Sequence, residues 1–183
     1  MHRRSKKCAV LAAAMHSRRF SWGPMSETPP DVEEMTATGA QAHYRRLEAL
    51  YNSAPVNQLF DSRIEITGPG QARIRFKVDE STFHAAGAAH GTLYFKMLDD
   101  VAFYAANSLI SDRFLLTTAF NLHFTRPMRA GEAIAEGRWI SGRRRVMIAD
   151  AHIVGPDGEE AARGTGTFLR SHIPLSSLAG YRG

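Results

Sequence analysis

The chain has 183 residues, of which 44% are hydrophobic and 22% charged, a size and composition typical of one globular domain with an extension. The composition excludes a collagen-like, low-complexity or wholly disordered chain. The single cysteine, Cys8, excludes an internal disulfide framework and a zinc ribbon.

The net charge of +5 suggests a nucleic acid or anionic partner. However, residues 1–26 carry six Lys or Arg and no acid, whereas the rest carries 17 Lys or Arg against 18 Asp or Glu. We therefore expect no nucleic-acid partner for the body of the chain.

The first 34 residues are predicted to be an extension outside the folded domain. Their basic start and short apolar stretch only weakly resemble a secretory signal, and their arginines also resemble an organellar presequence. The simpler interpretation is a disordered tail, or a spurious one if translation begins at Met25. No stretch of about 18 uncharged apolar residues is present, so neither a membrane span nor a membrane partner is predicted, and we expect a cytoplasmic protein. The folded domain is predicted to span residues 35–174, followed by a loose tail at 175–183.

The next segments predict one helix and one β-hairpin. From Thr36 to Tyr51, apolar residues recur at three- and four-residue steps, which predicts an amphipathic helix. Residues 60–67 and 71–78 alternate apolar and charged side chains on either side of a Gly-Pro-Gly turn, which predicts a hairpin with one buried face. Four further β segments are predicted near the C-terminus, at 114–126, 132–141, 145–154 and 160–170.

Between the hairpin and these strands lies the one long apolar segment, residues 93–110. It is apolar on almost every side, which predicts a helix buried by the rest of the domain. Consecutive strands with short turns indicate an antiparallel sheet. The sequence therefore predicts an α+β domain in which an antiparallel sheet wraps around a long central helix.

Two adjacent acids, Asp99 and Asp100, stand in the middle of this apolar helix. Burial of a carboxylate is costly unless it is paired or functional. Because successive helical residues differ by about 100°, the two side chains point in different directions. One is expected to face a partner such as Arg113 or Arg126 and the other to face a site. Which of the two is the functional acid stays open, but small neighbours at Ala102 and Ala106 favour Asp99.

The start of the helix offers a second candidate group. Gly87 and Gly91 flank His90 where the helix should begin, and a helix N-terminus presents free N–H groups that can polarise a carbonyl. Ordinary turn formation is the competing explanation for these glycines. If the helix begins near Gly91, Asp99 lies about 12 Å further along its axis, too far for both to act on one carbon. An antiparallel pair of such helices from two subunits removes this difficulty, which predicts an isologous dimer with two shared sites.

The run from His90 to Asp99, with the Ala-rich continuation to Ser108, resembles the hotdog-fold acyl-CoA thioesterases of the phenylacetate-degradation (PaaI-like) type. The segments Asn121–Pro127 and Gly164–Phe168 resemble two strands of that family. The resemblance covers about residues 55–174. It implies a hotdog fold, hydrolysis of a small aryl- or fatty acyl-CoA thioester, and a homodimer, with a homotetramer as the larger alternative.

The resemblance also implies roles for individual residues. Asp99 takes the place of the nucleophile or general base, and the Gly91 amide that of the oxyanion donor. His90 shapes the loop or contacts the thioester. Thr117 stands where the family places a hydroxyl that positions the acid or water, and His84 stands where the family has an amide. The sequence departs from the motif at Thr92, which replaces its second glycine.

A cluster of three arginines, Arg143, Arg144 and Arg145, follows Gly142 at a predicted turn. It is the candidate binding site for the phosphates of coenzyme A, and a solvated hairpin tip is the alternative. Coenzyme A is part of the substrate, so no separate cofactor is expected, and the histidine spacing predicts no metal site. The alternative function is a non-catalytic hotdog protein that binds acyl-CoA or serves as a dimeric scaffold.

Overall fold

The computed structural model describes residues 37–182, so the predicted N-terminal extension, with Cys8, and Gly183 lie outside the described residues. None of the helices within residues 37–182 is long and apolar enough to cross a membrane. Within these residues, three α-helices and six strands follow in chain order: α1 (Ala37–Ser53), β1 (Ser62–Gly68), β2 (Gln71–Val78), α2 (Gly91–Asn107), β3 (Arg113–Phe124), β4 (Gly131–Ser141), β5 (Val146–Val154), β6 (Glu160–Pro174) and α3 (Ala179–Arg182).

The six strands form one antiparallel sheet in the order β1-β2-β4-β5-β6-β3, which curves around α2. In β1 and β2 the apolar residues of the alternating pattern are buried and the charged ones between them face outward. This periodicity of two is what one buried sheet face requires. The predicted α+β class and the arrangement of sheet and helix are confirmed.

Helix α2 forms the centre of the core. Every residue from Val101 to Asn107 is buried, because the sheet surrounds this half of the helix. The helix backbone approaches β4 at Gly137, where an added Cβ would lie 2.3 Å from the Val101 carbonyl oxygen. Only glycine allows this approach. The position of α2 on the sheet is therefore fixed by backbone contact, two residues after Asp99.

The two edges of the sheet differ. At the β1 edge, α1 packs alongside, and Glu48 Oε1 accepts a hydrogen bond of 2.9 Å from the Ile66 amide. At the other edge, β3 is flanked only by β6 among the described residues and leaves Leu116 and Phe124 exposed. The unpaired backbone groups of a long edge strand with exposed apolar side chains can pair with a strand of another chain.

The C-terminal segment differs from the predicted loose tail. Leu175 and Tyr181 are buried, and α3 packs against α1. His43 of α1 connects the two, since its Nδ1 lies 2.7 Å from the Tyr181 hydroxyl and its Nε2 lies 3.1 Å from the Asn107 carbonyl oxygen. The Leu175-Leu178-Tyr181 spacing is the sequence signal for this docking. The prediction of a loose tail was therefore wrong for these residues.

Tyr181→Ala is expected to destabilise the fold by about 3 kcal/mol, because it empties a buried aromatic site against α1. Tyr181→Phe keeps the ring and removes only the hydroxyl, which should cost about 1 kcal/mol through the lost bond to His43. Urea unfolding of both variants measures the difference. Equal stability of Tyr181→Ala and the unmodified chain would contradict the docked arrangement.

Candidate active site

The N-terminal half of α2 carries the accessible polar groups of the central helix. Its residues that are not fully buried form two neighbouring lines at four-residue steps. One line contains Gly91, Phe95 and Asp99 and lies beside β3. The other contains Thr92, Lys96 and Asp100 and lies on the side of α1. The two adjacent acids therefore face different parts of the domain, as the helical geometry predicted.

Asp99 is partly buried and is hydrogen-bonded to Thr117 of β3. The Thr117 hydroxyl donates to Asp99 Oδ1 at 2.9 Å. Thr117 stands at the start of a β-bulge, where the pairing of β3 with β6 shifts between Thr117 and Ala119. Bulges of this kind redirect side chains and recur beside active sites. The structure thus brings together two of the residues that the sequence placed in a site.

The environment of Asp99 disfavours its charge. Burial raises the pKa of this carboxyl from 3.8 to about 6; the Thr117 hydrogen bond opposes the rise and the charge of Asp100 adds to it. A carboxyl with a pKa near 6 can accept a proton more strongly than an ordinary aspartate and is still ionised at neutral pH. These are properties of a general base or nucleophile.

Asp100 has a partner, but not an arginine as expected. Lys96, one turn earlier on α2, forms an ion pair with its carboxylate. Arg113 instead lies near Asp112 at 3.8 Å and donates to the His172 carbonyl. The expectation that Arg113 or Arg126 would pair with an acid of α2 was therefore wrong, because the i, i+4 lysine lies closer. The pairing leaves Asp99 as the acid of α2 that faces β3.

The start of α2 is capped by His90. Its Nδ1 accepts a hydrogen bond of 3.2 Å from the Thr92 amide and lies 3.0 Å from the Thr92 hydroxyl. The Leu93 amide donates to the His90 carbonyl. Within residues 37–182, the Gly91 amide donates to no acceptor. His90 thus satisfies one N–H of the first turn and leaves the Gly91 N–H at the positive end of the helix.

A cavity of about 380 Å³ opens beside this free amide. Its wall is lined by His84, Gly91, Tyr94 and Phe124, with Ala89 and residues 125–127. The ring of Phe124 lies over Gly91, since an added Cβ there would be 3.2 Å from Phe124 Cζ. His84 is exposed and its Nδ1 accepts from the Ala86 amide at 3.0 Å. His84 and Gly91 therefore share one cavity.

The predicted site residues thus fall into two groups. His84, His90 and Gly91 lie at the N-terminus of α2. Asp99 lies about two turns further along the helix, beside Thr117 of β3. Because Gly91 and Asp99 are eight residues apart in one continuous helix, they are separated by about 12 Å along its axis. One chain holds the two groups apart, which is the separation that the sequence predicted for a site shared between subunits.

The three arginines lie at the exposed turn between β4 and β5. Arg144 adopts a φ of 57°, and the Arg145 carbonyl accepts from the Arg170 amide at 2.9 Å. No ion pair involves these arginines within the described part of the chain. Met147, two residues after Arg145, pairs with Phe168, which pairs with Thr117. The cluster therefore lies toward the end of the sheet that carries Thr117, two strands away from it.

Sequence reasoning missed three features of this region. The Lys96–Asp100 pair has the i, i+4 spacing of a helical ion pair, which was a readable signal. Asn57, whose Oδ1 accepts from Lys96 Nζ at 2.6 Å, comes from a distant turn and left no local signal. The position of Phe124 over Gly91 depends on strand order, which a local pattern does not contain.

Comparison with solved structures identifies the class of fold. The PaaI protein of the E. coli phenylacetic acid degradation operon matches with a TM-score of 0.68 and 20% identity, over 74% of this chain and 97% of that one. A thioesterase family protein from Silicibacter pomeroyi matches with a TM-score of 0.65 and 24% identity, over 69% and 96%. The described residues thus form a hotdog fold, as predicted.

Comparison of the sequence finds a likeness to a family and to one curated protein. Residues 86–162, which include α2 and β3 to β5, match the model of the thioesterase superfamily. A protein of Saccharolobus solfataricus named "Putative esterase SSO1253" is 26% identical over 100 residues, which are 55% of this chain and 67% of that protein. The predicted resemblance to thioesterases is confirmed. The two findings support a hydrolase of the thioesterase or esterase class.

Proposed function

We propose that the protein is an acyl-CoA thioesterase with Asp99 as its nucleophile or general base. The observation that carries this proposal is the arrangement at Asp99, a half-buried carboxyl of raised pKa that a hydroxyl from Thr117 holds in place. The resemblance of the surrounding helix to the thioesterase superfamily supports the same assignment. The acyl group is proposed to be a small aryl or fatty acyl chain.

The chemistry requires one ionised carboxylate and one oxyanion donor. As a general base, Asp99 takes a proton from water while the water oxygen adds to the thioester carbon. The carbonyl oxygen becomes negative and is stabilised by the Gly91 N–H and the helix dipole. Collapse of this intermediate breaks the C–S bond, and the proton passes to the thiolate. As a nucleophile, Asp99 instead attacks the thioester carbon, the C–S bond breaks to release the thiolate, and water hydrolyses the resulting anhydride to free the acid and Asp99.

The remaining site residues have supporting roles in this proposal. The Thr117 hydroxyl fixes the orientation of the Asp99 carboxyl or of the attacking water. His90 holds the first turn of α2 in the geometry that presents the Gly91 amide. His84 lines the cavity beside Gly91 and can donate a hydrogen bond to the substrate.

A homodimer is part of the proposal, because one chain holds Gly91 and Asp99 apart. Phe95 and Phe124 are 43% and 58% exposed, and they lie on α2 and β3 beside these groups. Large apolar side chains concentrated on one face indicate a surface that a partner covers. A second copy, related by a two-fold axis, would cover this face and place the Asp99 of one subunit near the Gly91 of the other. Two such dimers could form a tetramer.

The test of the activity is a thiol-release assay with purified protein and a panel that includes benzoyl-CoA and hexanoyl-CoA. We expect turnover of at least one ester and a sedimenting species of two or more subunits. Acyl-CoA binding without thiol release would instead support the non-catalytic alternative. Neither binding nor release across the panel would contradict both functions.

The arginine cluster provides a separate prediction. Replacing Arg143, Arg144 and Arg145 by Ala is expected to raise the KM for acyl-CoA by about tenfold or more and to change kcat by less than about threefold, because phosphate contacts are remote from the reacting carbon. The matched control replaces Arg63, Arg75 and Lys77, three exposed cations on β1 and β2. The same KM in both triple variants would show that the cluster is not the phosphate site.

A further inference from the structure

The ion pair of Lys96 and Asp100 is enclosed on the α1 side of the central helix. The side chains are only 16% and 18% exposed. Lys96 Nζ also donates to Asn57 Oδ1 at 2.6 Å and lies 5.4 Å and 5.7 Å from the ring centres of Tyr51 and Phe60. Enclosing two charges in this way costs desolvation and is a weak source of stability. The pair therefore suggests a role other than stabilisation.

That role follows from the position of Asp100 directly after Asp99. Two neighbouring carboxyls in a partly buried setting repel each other when both are ionised, and one of them then retains its proton. Burial raises the pKa of Asp100, and the direct contact with Lys96 opposes that rise, so the cation reduces this competition. Lys96 contacts Asp100 and not Asp99, so it acts directly on one member of the pair.

The other groups that face the two acids are uncharged. Tyr51 of α1 is hydrogen-bonded to Ser62 of β1 at 2.7 Å, and burial raises its pKa to about 12. Tyr104 of α2 also has a raised pKa from burial. The turn at 55–59 contributes the side-chain amide of Asn57, which contacts Lys96. Strand β3 contributes the hydroxyl of Thr117, which contacts Asp99. Among the described residues, Asp100 and Lys96 are the charged groups that act on Asp99.

We propose that Lys96 is a positioning residue whose ion pair keeps Asp100 ionised and turned toward α1, and so leaves Asp99 as the single exchangeable carboxyl of the site. This proposal rests on the proposed function of Asp99. Lys96 acts through Asp100 and does not touch the substrate. From the sequence, the choice of Asp99 or Asp100 as the reacting acid stayed open. In this proposal Lys96, one turn earlier, distinguishes them because it pairs with Asp100.

Three variants test the proposal through the pH dependence of kcat/KM for the most active ester of the panel. Asp100→Asn removes the negative neighbour and keeps the cation, so the ascending limb should move to lower pH by about half a unit or more with kcat retained within a few-fold. Lys96→Met leaves two coupled carboxyls, so the limb should broaden into two ionisations. Lys96→Arg should restore a single ionisation at the unmodified position. The control Lys77→Met, an exposed lysine of β2, should leave the profile unchanged.

The same titration can be followed without a substrate by carboxyl ¹³C NMR of Asp99 in the folded protein. If Asp99→Asn remains active, the assignment of Asp99 as the reacting acid fails whatever the NMR titration shows. If Asp100→Asn leaves the titration of Asp99 unmoved, the role of Lys96 fails while the proposed function stands. Loss of activity in Asp100→Asn with an active Asp99→Asn would make Asp100 the reacting acid and overturn the inference. Should Lys96→Met fail to fold, the downward shift in Asp100→Asn still decides it.

Discussion

Asp99→Asn is expected to abolish thioester hydrolysis and at the same time to stabilise the folded protein at pH 8. The amide cannot accept the proton or attack the carbonyl, so kcat should fall by about 10³-fold or more. In the unmodified enzyme, kcat/KM should rise with pH through the pKa of about 6 that burial gives this carboxyl. A thiol-release assay across pH measures both. Hydrolysis close to the unmodified rate would refute the assignment of Asp99.

The effect on stability follows from the same carboxyl. Because the folded pKa of about 6 exceeds the ordinary value of 3.8, the folded chain binds more protons than the unfolded chain between these values. Stability from this group is therefore full below about pH 4 and is lost as pH rises through 6. Asn cannot ionise, so the variant does not lose this stability at high pH. Because Asp99 is partly exposed, we expect the free energy of unfolding at pH 8 to rise by only about 1–2 kcal/mol, which corresponds to a Tm gain of a few degrees. Melting curves should coincide at pH 4; a lower Tm at pH 8 would contradict this reasoning.

Gly91→Pro is expected to reduce kcat by about 10²- to 10³-fold, because it removes the proposed oxyanion donor. Proline is favoured at the first position of a helix, where its missing N–H breaks no helical bond. His90, with φ −72° and ψ 148°, already has the extended backbone that a following proline needs. Gly91→Ala is the control, since it makes the same contact with Phe124 and keeps the N–H. Equal kcat in the two variants would exclude the amide as the donor.

The two inactive variants together test whether the site is shared. Co-expressed Asp99→Asn and Gly91→Pro chains form heterodimers in about half of all dimers. In each heterodimer one site combines an intact Gly91 with an intact Asp99 from opposite chains. We expect about a quarter of the unmodified activity to return. No recovery, in a sample shown by mass spectrometry to contain heterodimers, would place both groups of each site in one chain.

The parts of the fold that local patterns determine could be predicted from the sequence. Alternation in residues 71–78 corresponds to β2 without a shift, because one buried sheet face requires a period of two. Helix α2 starts at Gly91, where the glycines and His90 indicated a start. The strand order could not be read in this way, since pairing of β3 with β6 connects residues far apart in the chain.

In the candidate site, too, local sequence patterns predict some features, whereas tertiary contacts determine the others. The spacing of the motif predicted the eight-residue separation of Gly91 and Asp99, which a continuous helix preserves. The hydrogen bond from Thr117 depends on a bulge in an edge strand, and the contact of Lys96 with Asn57 depends on a turn before β1. Both are tertiary contacts that no short window of sequence contains. The resemblance implied Thr117, whereas nothing implied Asn57.

Gly137 has a consequence that extends beyond packing. The Val101 carbonyl rests against the bare backbone of β4, and Asp99 lies half a turn away on the same helix. Any side chain at 137 would lift this part of α2 from the sheet and lengthen the 2.9 Å bond between Asp99 and Thr117. The alignment of the proposed reacting group thus depends on a missing methyl group, on a strand that supplies no chemistry of its own. A side chain at position 137 would therefore misalign Asp99 before it unfolded the domain.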